Sequence, residues 1–164
     1  MMKGIKISMN NIIFCLVIIT VMVVIDQLTK VLAFKYFEFG DTVPVIPKVI
    51  DFILVKNTGA VFGILKGKMV LFYIVTFLGL SIFAYLLKDA NLETMPFYTI
   101  GLSLMIAGTI GNFIDRACFS YVRDFITFGF FSFPSFNVAD MCMCVGIVMF
   151  FIDTLFGDAK ILWK

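Results

Sequence analysis

The stretch SFNVADMCMCVGIVMFF, Ser135 to Phe151, sets one carboxylate, Asp140, at the mouth of a long apolar run. Such a run reads as a helix entering lipid. A charge at its entrance is costly unless a partner or a proton accompanies it. A second stretch, GTIGNFIDR from Gly108 to Arg116, is the mirror image: an apolar run ends in a cluster of polar groups. Both contain Asn-x-x-Asp, as Asn112 with Asp115 and Asn137 with Asp140.

Four apolar runs are present, over residues 12–34, 69–87, 97–114 and 138–156. Each reaches the roughly 17–25 residues that a helix needs to span a bilayer, the first only if it continues through Asp26. With 62% hydrophobic residues and a mean hydropathy of +1.07, the 164-residue chain holds more apolar surface than it can bury, so lipid must cover much of it. The expected architecture is an all-α membrane protein of four transmembrane helices, one integral-membrane domain over residues 1–164. The first run follows Lys3 and Lys6 as a signal peptide's would, but no small-x-small cleavage site follows it. It reads as an uncleaved span.

Four spans put both termini on one side. The end of span 1 (Asp26, Lys30), the end of span 3 (Asn112, Asp115, Arg116) and the start of span 4 (Asn137, Asp140) then share the other. Of the unusual polar groups only Asp153 falls elsewhere. Connection 35–68 is rich in Val and Ile, with Pro44 and Pro47 suited to an edge or turn and Asn57-Thr-Gly59 to a turn. It predicts a small β cradle over about residues 40–65, between helices 1 and 2. Connection 117–137 holds six phenylalanines from Phe125 to Phe136, suited to the headgroup level and equally to an apolar ligand.

Histidine is absent, which excludes Ser-His-Asp and Cys-His catalysis and His-ligated zinc. Cys15, Cys118, Cys142 and Cys144 lack metal-type spacing, and no basic stripe suggests nucleic acid. The carboxylates carry the chemistry. Asp26 and Lys30 are four apart, in the order that favours an ion pair on a helix. Two carboxylates in a desolvated pocket keep one proton between them. The anion then activates water and the acid protonates a scissile carbonyl, with no metal or covalent intermediate. The residues alone supply three candidates for that pair: Asp115, Asp124 and Asp140.

Asp26-Gln-Leu-Thr-Lys30, Asn57-Thr-Gly-Ala-Val-Phe-Gly63, Gly111-Asn-Phe-Ile-Asp-Arg116, Val122-Arg-Asp-Phe125 and Phe136-Asn-Val-Ala-Asp140 stand in order along the chain. Together they resemble the lipoprotein signal peptidase (signal peptidase II) family of bacteria. The resemblance implies a four-helix aspartic peptidase with an extracytoplasmic β cradle, cleaving prolipoproteins before the diacylglyceryl-modified cysteine. Asp124 and Asp140 match the catalytic positions, and Asp115 becomes a supporting residue. Asn57, Gly59, Asn112, Arg116, Asn137 and Ala139 match positions that shape the pocket or hold substrate. Asp26 and Lys30 support them. No cofactor is implied, and globomycin-type peptides are the expected inhibitors.

Arg123 departs from the frequent Val-Val-Asp-Phe of that family. Beside Asp124 it would lower the carboxyl pKa; turned outward it would meet lipid headgroups. The resemblance also places both termini in the cytoplasm and the active site near the extracytoplasmic face. The count of Lys and Arg, heavier on the carboxylate-bearing side, points the other way by the positive-inside rule. A proton-coupled carrier is the rival reading, and would spread its carboxylates through the membrane depth. A non-catalytic scaffold is a third.

Overall fold

A computed structural model describes residues 8–59 and 68–157. Four of its helices are long and apolar enough to cross a membrane. Helix α1 spans Met9–Tyr36, α2 Met69–Leu87, α3 Pro96–Phe119 and α4 Val138–Phe156. Strands β1 (Val43–Ile46), β2 (Ile50–Asn57) and β3 (Val122–Phe128) form one antiparallel sheet in that order.

Helix α2 carries no charge and buries no side chain, as a helix facing lipid on nearly every side must. Helix α3 is the central one. Its buried residues include Thr99, Ser103, Gly108, Gly111, Asn112 and Asp115. It meets α4 at glycines. A Cβ on Gly101 would lie 2.7 Å from the Gly146 carbonyl oxygen, and one on Gly146 would lie 2.6 Å from that of Gly101. Small residues at such a crossing let two backbones approach closely within lipid.

The two ends of α3 differ in kind. At its start Pro96 occupies the first turn and Met95 offers no capping side chain. Instead the Asp153 carboxylate, from the far end of α4, accepts from the Tyr98 backbone N–H at 2.9 Å. That supplies an acceptor where orphan N–H groups and the helix dipole call for one. Of the carboxylates on the four helices, Asp153 alone is remote from the others, and this contact gives it a structural use. At its end α3 runs five residues past the expected boundary of 114, so Asp115 and Arg116, expected at the end of the span, lie within its last turns.

The sheet also differs from expectation. The cradle is built from both connections, because β3 follows α3 and pairs along β2. In that register Val55 faces Asp124 and Lys56 faces Arg123. The periodicity of residues 40–65 could not disclose a strand from 65 residues further on. Residues 60–65, including Ala60 to Gly63 of the Asn57–Gly63 motif, lie outside the described residues. A small core of Ala33, Leu54 and Phe125, flanked by Phe37, Phe52 and Val138, fastens the sheet to the end of α1 and the start of α4. The phenylalanines of the second connection pack largely on one another, with Phe128 and Phe131 stacked at 5.1 Å, and Phe130 and Phe131 reach the surface.

Overpacking the α3–α4 crossing should cost about 1–3 kcal/mol. Gly101→Val is expected to lower the melting temperature of the detergent-solubilised protein, whereas Gly79→Val on α2, where a new Cβ meets only a phenylalanine side chain at 3.9 Å, is expected to leave it unchanged.

Candidate active site

The polar residues of α1, α3, β3 and α4 converge at one end of the bundle. Their base is a set of buried charges. Lys30, wholly buried, places its ammonium 2.9 Å from Asp26 and 3.4 Å from Asp115. Asp115 meets the Arg123 guanidinium at 2.7 Å and also accepts from the Arg123 backbone N–H at 2.8 Å. Asp26 accepts from the Ala139 backbone N–H at 2.9 Å, which ties α1 to the first turn of α4. Two anions and two cations balance here, as burial of charge requires. A Cβ on Gly111 would lie 2.6 Å from Asp26 Oδ2, so only glycine admits the carboxylate at that point.

Above this base stand two amides. Lys30 Nζ donates to Asn112 Oδ1 at 3.1 Å. An ammonium has no acceptor, so it fixes which end of the Asn112 amide faces it. The Asn112 NH₂ must then point the other way, and it donates to Asp140 Oδ1 at 2.8 Å. Asn112 Oδ1 also accepts from Asn137 Nδ2 at 3.1 Å, and the same Asn137 nitrogen donates to Asp124 Oδ1 at 2.6 Å. Asp124 Oδ2 accepts from Asn57 Nδ2 at 2.9 Å. Thus Asp124 and Asp140 are the two ends of one hydrogen-bonded chain, Asp124–Asn137–Asn112–Asp140.

Local structure explains the recurring Asn-x-x-Asp. Asn137 is the N-cap of α4. Its Oδ1 accepts from Asp140 N–H at 3.0 Å, while Asp140 Oδ2 accepts from Asn137 N–H at 3.1 Å. This capping box answers why a charge stands where a helix enters lipid. In the α3 copy the two side chains diverge to different partners, Asn112 to the amide chain and Asp115 to the ion pairs.

Asp124, on β3, is almost wholly buried. Burial above all, and then the nearby Asp140 charge, push its carboxyl up to about 7. The expectation that Arg123 would lower it is overturned. Arg123 turns neither toward Asp124 nor out to headgroups; it is buried on Asp115 and Gln27. Asp115 in turn does not orient Arg116. The Arg116 guanidinium makes long contacts, 3.5 Å each, to the Asn112 and Gly59 carbonyl oxygens and lies over the Phe72 ring. It forms no ion pair among the described residues.

All of the expected site residues therefore gather at this end. Gln27 and Arg123 were not among them. Gln27 donates to Gly111 O at 3.0 Å and accepts from Arg123 at 2.8 Å. Its one sequence signal is its place beside Asp26. No group of residues able to hold a metal ion occurs among the described residues.

The model of the family described as signal peptidase (SPase) II matches residues 18–156. The chain belongs to the signal peptidase II family. The lipoprotein signal peptidase of Lactiplantibacillus plantarum is 37% identical over 144 residues, covering 88% of this chain and 95% of that one. That of Enterococcus faecalis is 38% identical over 134 residues, covering 82% and 83%. A solved bacterial membrane enzyme superposes with a TM-score of 0.82 at 34% identity, covering 94% of this chain and 93% of its own. This signal peptidase II relative is thus a multi-pass bacterial membrane peptidase, and the carrier and scaffold readings fall away.

Removing Lys30 leaves Asp26 and the Asn112 amide facing an uncompensated hole. Breaking one partner of a buried pair costs about 3–5 kcal/mol. Lys30→Met is expected to lose most of its folded, membrane-inserted protein, and Lys30→Met with Asp26→Asn to recover part of it, as read by detergent-extracted yield and melting temperature.

Proposed function

We propose that this peptidase is an aspartic endopeptidase, a single integral-membrane domain over residues 1–164, and that Asp124 and Asp140 are its reacting carboxylates. The observation that carries this reading is the amide chain joining them, which holds two acids from different elements to one polar patch. The curated relatives' name, lipoprotein signal peptidase, supports a prolipoprotein substrate. On this reading the chain removes the signal peptide before the diacylglyceryl-modified cysteine. The substrate's acyl chains stay in lipid while its scissile bond lies at headgroup depth. An acid pair at the end of α3 and the start of α4 suits that depth.

In this mechanism Asp124 holds the shared proton, because it is the deeper of the two acids and its carboxyl is raised to about 7. Asp140 is the anion: it stands in the first turn of α4, where the helix dipole favours negative charge, and it accepts from Asn112 and from the Asn137 backbone N–H. Asp140 takes a proton from water as the water oxygen attacks the scissile carbonyl carbon, and Asp124 gives its proton to the carbonyl oxygen. The tetrahedral diol then collapses. Asp140 returns its proton to the departing amine, and Asp124 recovers one from the diol hydroxyl. Each acid ends as it began.

Asn57 and Asn137 hold Asp124, and Asn112 holds Asp140. Arg116 and Gly59 line the approach, where the guanidinium is available to a substrate carbonyl. Globomycin-type peptides are the expected inhibitors. Membrane lipid covers α2 and the outer faces of the other helices. The termini lie in the cytoplasm and the acid pair near the extracytoplasmic face.

Asp124→Asn and Asp140→Asn should each remain folded and inserted yet lose activity by about 10²–10⁴-fold, accumulating uncut lipidated precursor. Normal processing by either variant would end the assignment. The pH dependence has a definite sign. A raised carboxyl pKa in the free enzyme keeps the proton up to about pH 7, so kcat/KM should fall as pH rises through about 7. A rate that climbs steadily to pH 9 in a purified assay would place the acid elsewhere.

A further inference from the structure

The role of Arg123 is not accounted for by the reacting pair, although Arg123 is the sequence neighbour of Asp124. Its guanidinium is more than nine-tenths buried. It reaches Asp115 on α3 through Nη2 at 2.7 Å and Nε at 3.3 Å, and Gln27 on α1 through Nη2 at 2.8 Å. The flat face lies 4.7 Å from the Phe119 ring centre. The backbone N–H of the same residue donates to the other Asp115 oxygen at 2.8 Å. One residue therefore grips one carboxylate with both its backbone and its side chain, a forked match that an ammonium cannot copy.

Two consequences meet at Asp124. Strand β3 pairs with β2 on one edge, and near Asp124 the Arg123 grip is what ties it by polar contacts to α1 and α3. Toward α4 the strand is held by the Phe125 and Ile126 N–H groups on the Phe136 carbonyl, at 3.1 and 2.9 Å, so the Arg123 grip adds the α1 and α3 side of the frame in which residue 124 sits. The second consequence is electrostatic. Asp115 is satisfied at 2.7 Å by Arg123, and Lys30 stands off from it at 3.4 Å. The Lys30 ammonium is left to Asp26 and to Asn112 Oδ1, at 2.9 and 3.1 Å. Without Arg123, Asp115 would compete for that ammonium and loosen the contact that orients Asn112.

We propose that Arg123 is a positioning residue for the reaction: by clamping Asp115 and Gln27 it docks strand β3 and keeps Lys30 on Asn112, which together set Asp124 against Asp140. This rests on the assignment of Asp124 and Asp140 as the reacting pair. The Arg123 side chain bonds to Asp115 and Gln27 and to neither carboxylate of that pair, and on this proposal its loss acts on turnover and not on substrate binding.

The experiment compares Arg123→Val, Arg123→Gln and Arg123→Lys with the parent enzyme, purified in detergent and matched for monodispersity and melting temperature. Asp124→Asn serves as the control. A misplaced reacting group costs of the order of 10–100-fold. Arg123→Val and Arg123→Gln are expected to lower kcat by about that factor with KM within about twofold, and Arg123→Lys, which keeps charge without the fork, to fall between them and the parent. Parental kcat in Arg123→Val, equal losses in all three variants, or a change in KM at constant kcat would each overturn the proposal. Should Arg123→Val not be recovered folded, the order of Gln, Lys and parent decides. Full activity in Asp124→Asn would instead reject the reacting pair, and so separates that failure from this one.

Discussion

A lysine ammonium with no exposure, at the end of a helix in lipid, is the constraint on which the site depends. Lys30 cannot shed its charge into water, so the bundle must answer it from every side. Asp26 answers from the same helix, Asp115 from α3 and the Asn112 carbonyl from above. The first brings the α4 N-terminus with it, since Asp26 also holds the Ala139 N–H. The second brings β3, through Arg123. The third sets the direction of an amide chain that ends on both Asp124 and Asp140. One donor-only group thus orders three helices and a strand.

The arrangement separates two demands that conflict elsewhere. Holding helices together in lipid calls for fully paired charges, because each unpaired one is costly there. Aspartic chemistry calls for a carboxyl that is not fully paired and keeps a proton near neutral pH. Here the paired charges lie beneath, in Asp26, Lys30, Asp115 and Arg123. Asp124 and Asp140, the proposed reacting acids, lie above them and meet neutral amides, Asn57, Asn112 and Asn137. An amide fixes a carboxylate's position without supplying the full charge that would strip its proton. Direct contact with Lys30 or Arg123 would make Asp124 a stronger acid and a poorer proton donor.

Much of this was open to reading in the chain. Spans, their number and the gathering of Asp26, Lys30, Asn112, Asp115, Asn137 and Asp140 at one side follow from hydropathy and from the parity of crossings. Membrane helices are unusually legible because lipid forces every backbone group to pair within its own segment. The β cradle was legible only in part. β1 and β2 lie in one connection, but β3 is a partner by tertiary pairing alone, and a Val-Arg-Asp-Phe tetrapeptide has no alternation that announces a strand.

The sequence by itself determined the medium, the number of crossings, the absence of histidine chemistry and, through five ordered motifs, the membership in signal peptidase II. Only the tertiary structure decided where each charge goes. Arg123 adjoins Asp124 in the chain yet belongs to Asp115, and Asp115 adjoins Arg116 yet belongs to Arg123 and Lys30. Neighbours along a strand or helix point in different directions, so adjacency in sequence carries little information about pairing. Which carboxyl keeps the proton depends on depth and on the charges around it, and those exist only once helices and sheet have closed over it.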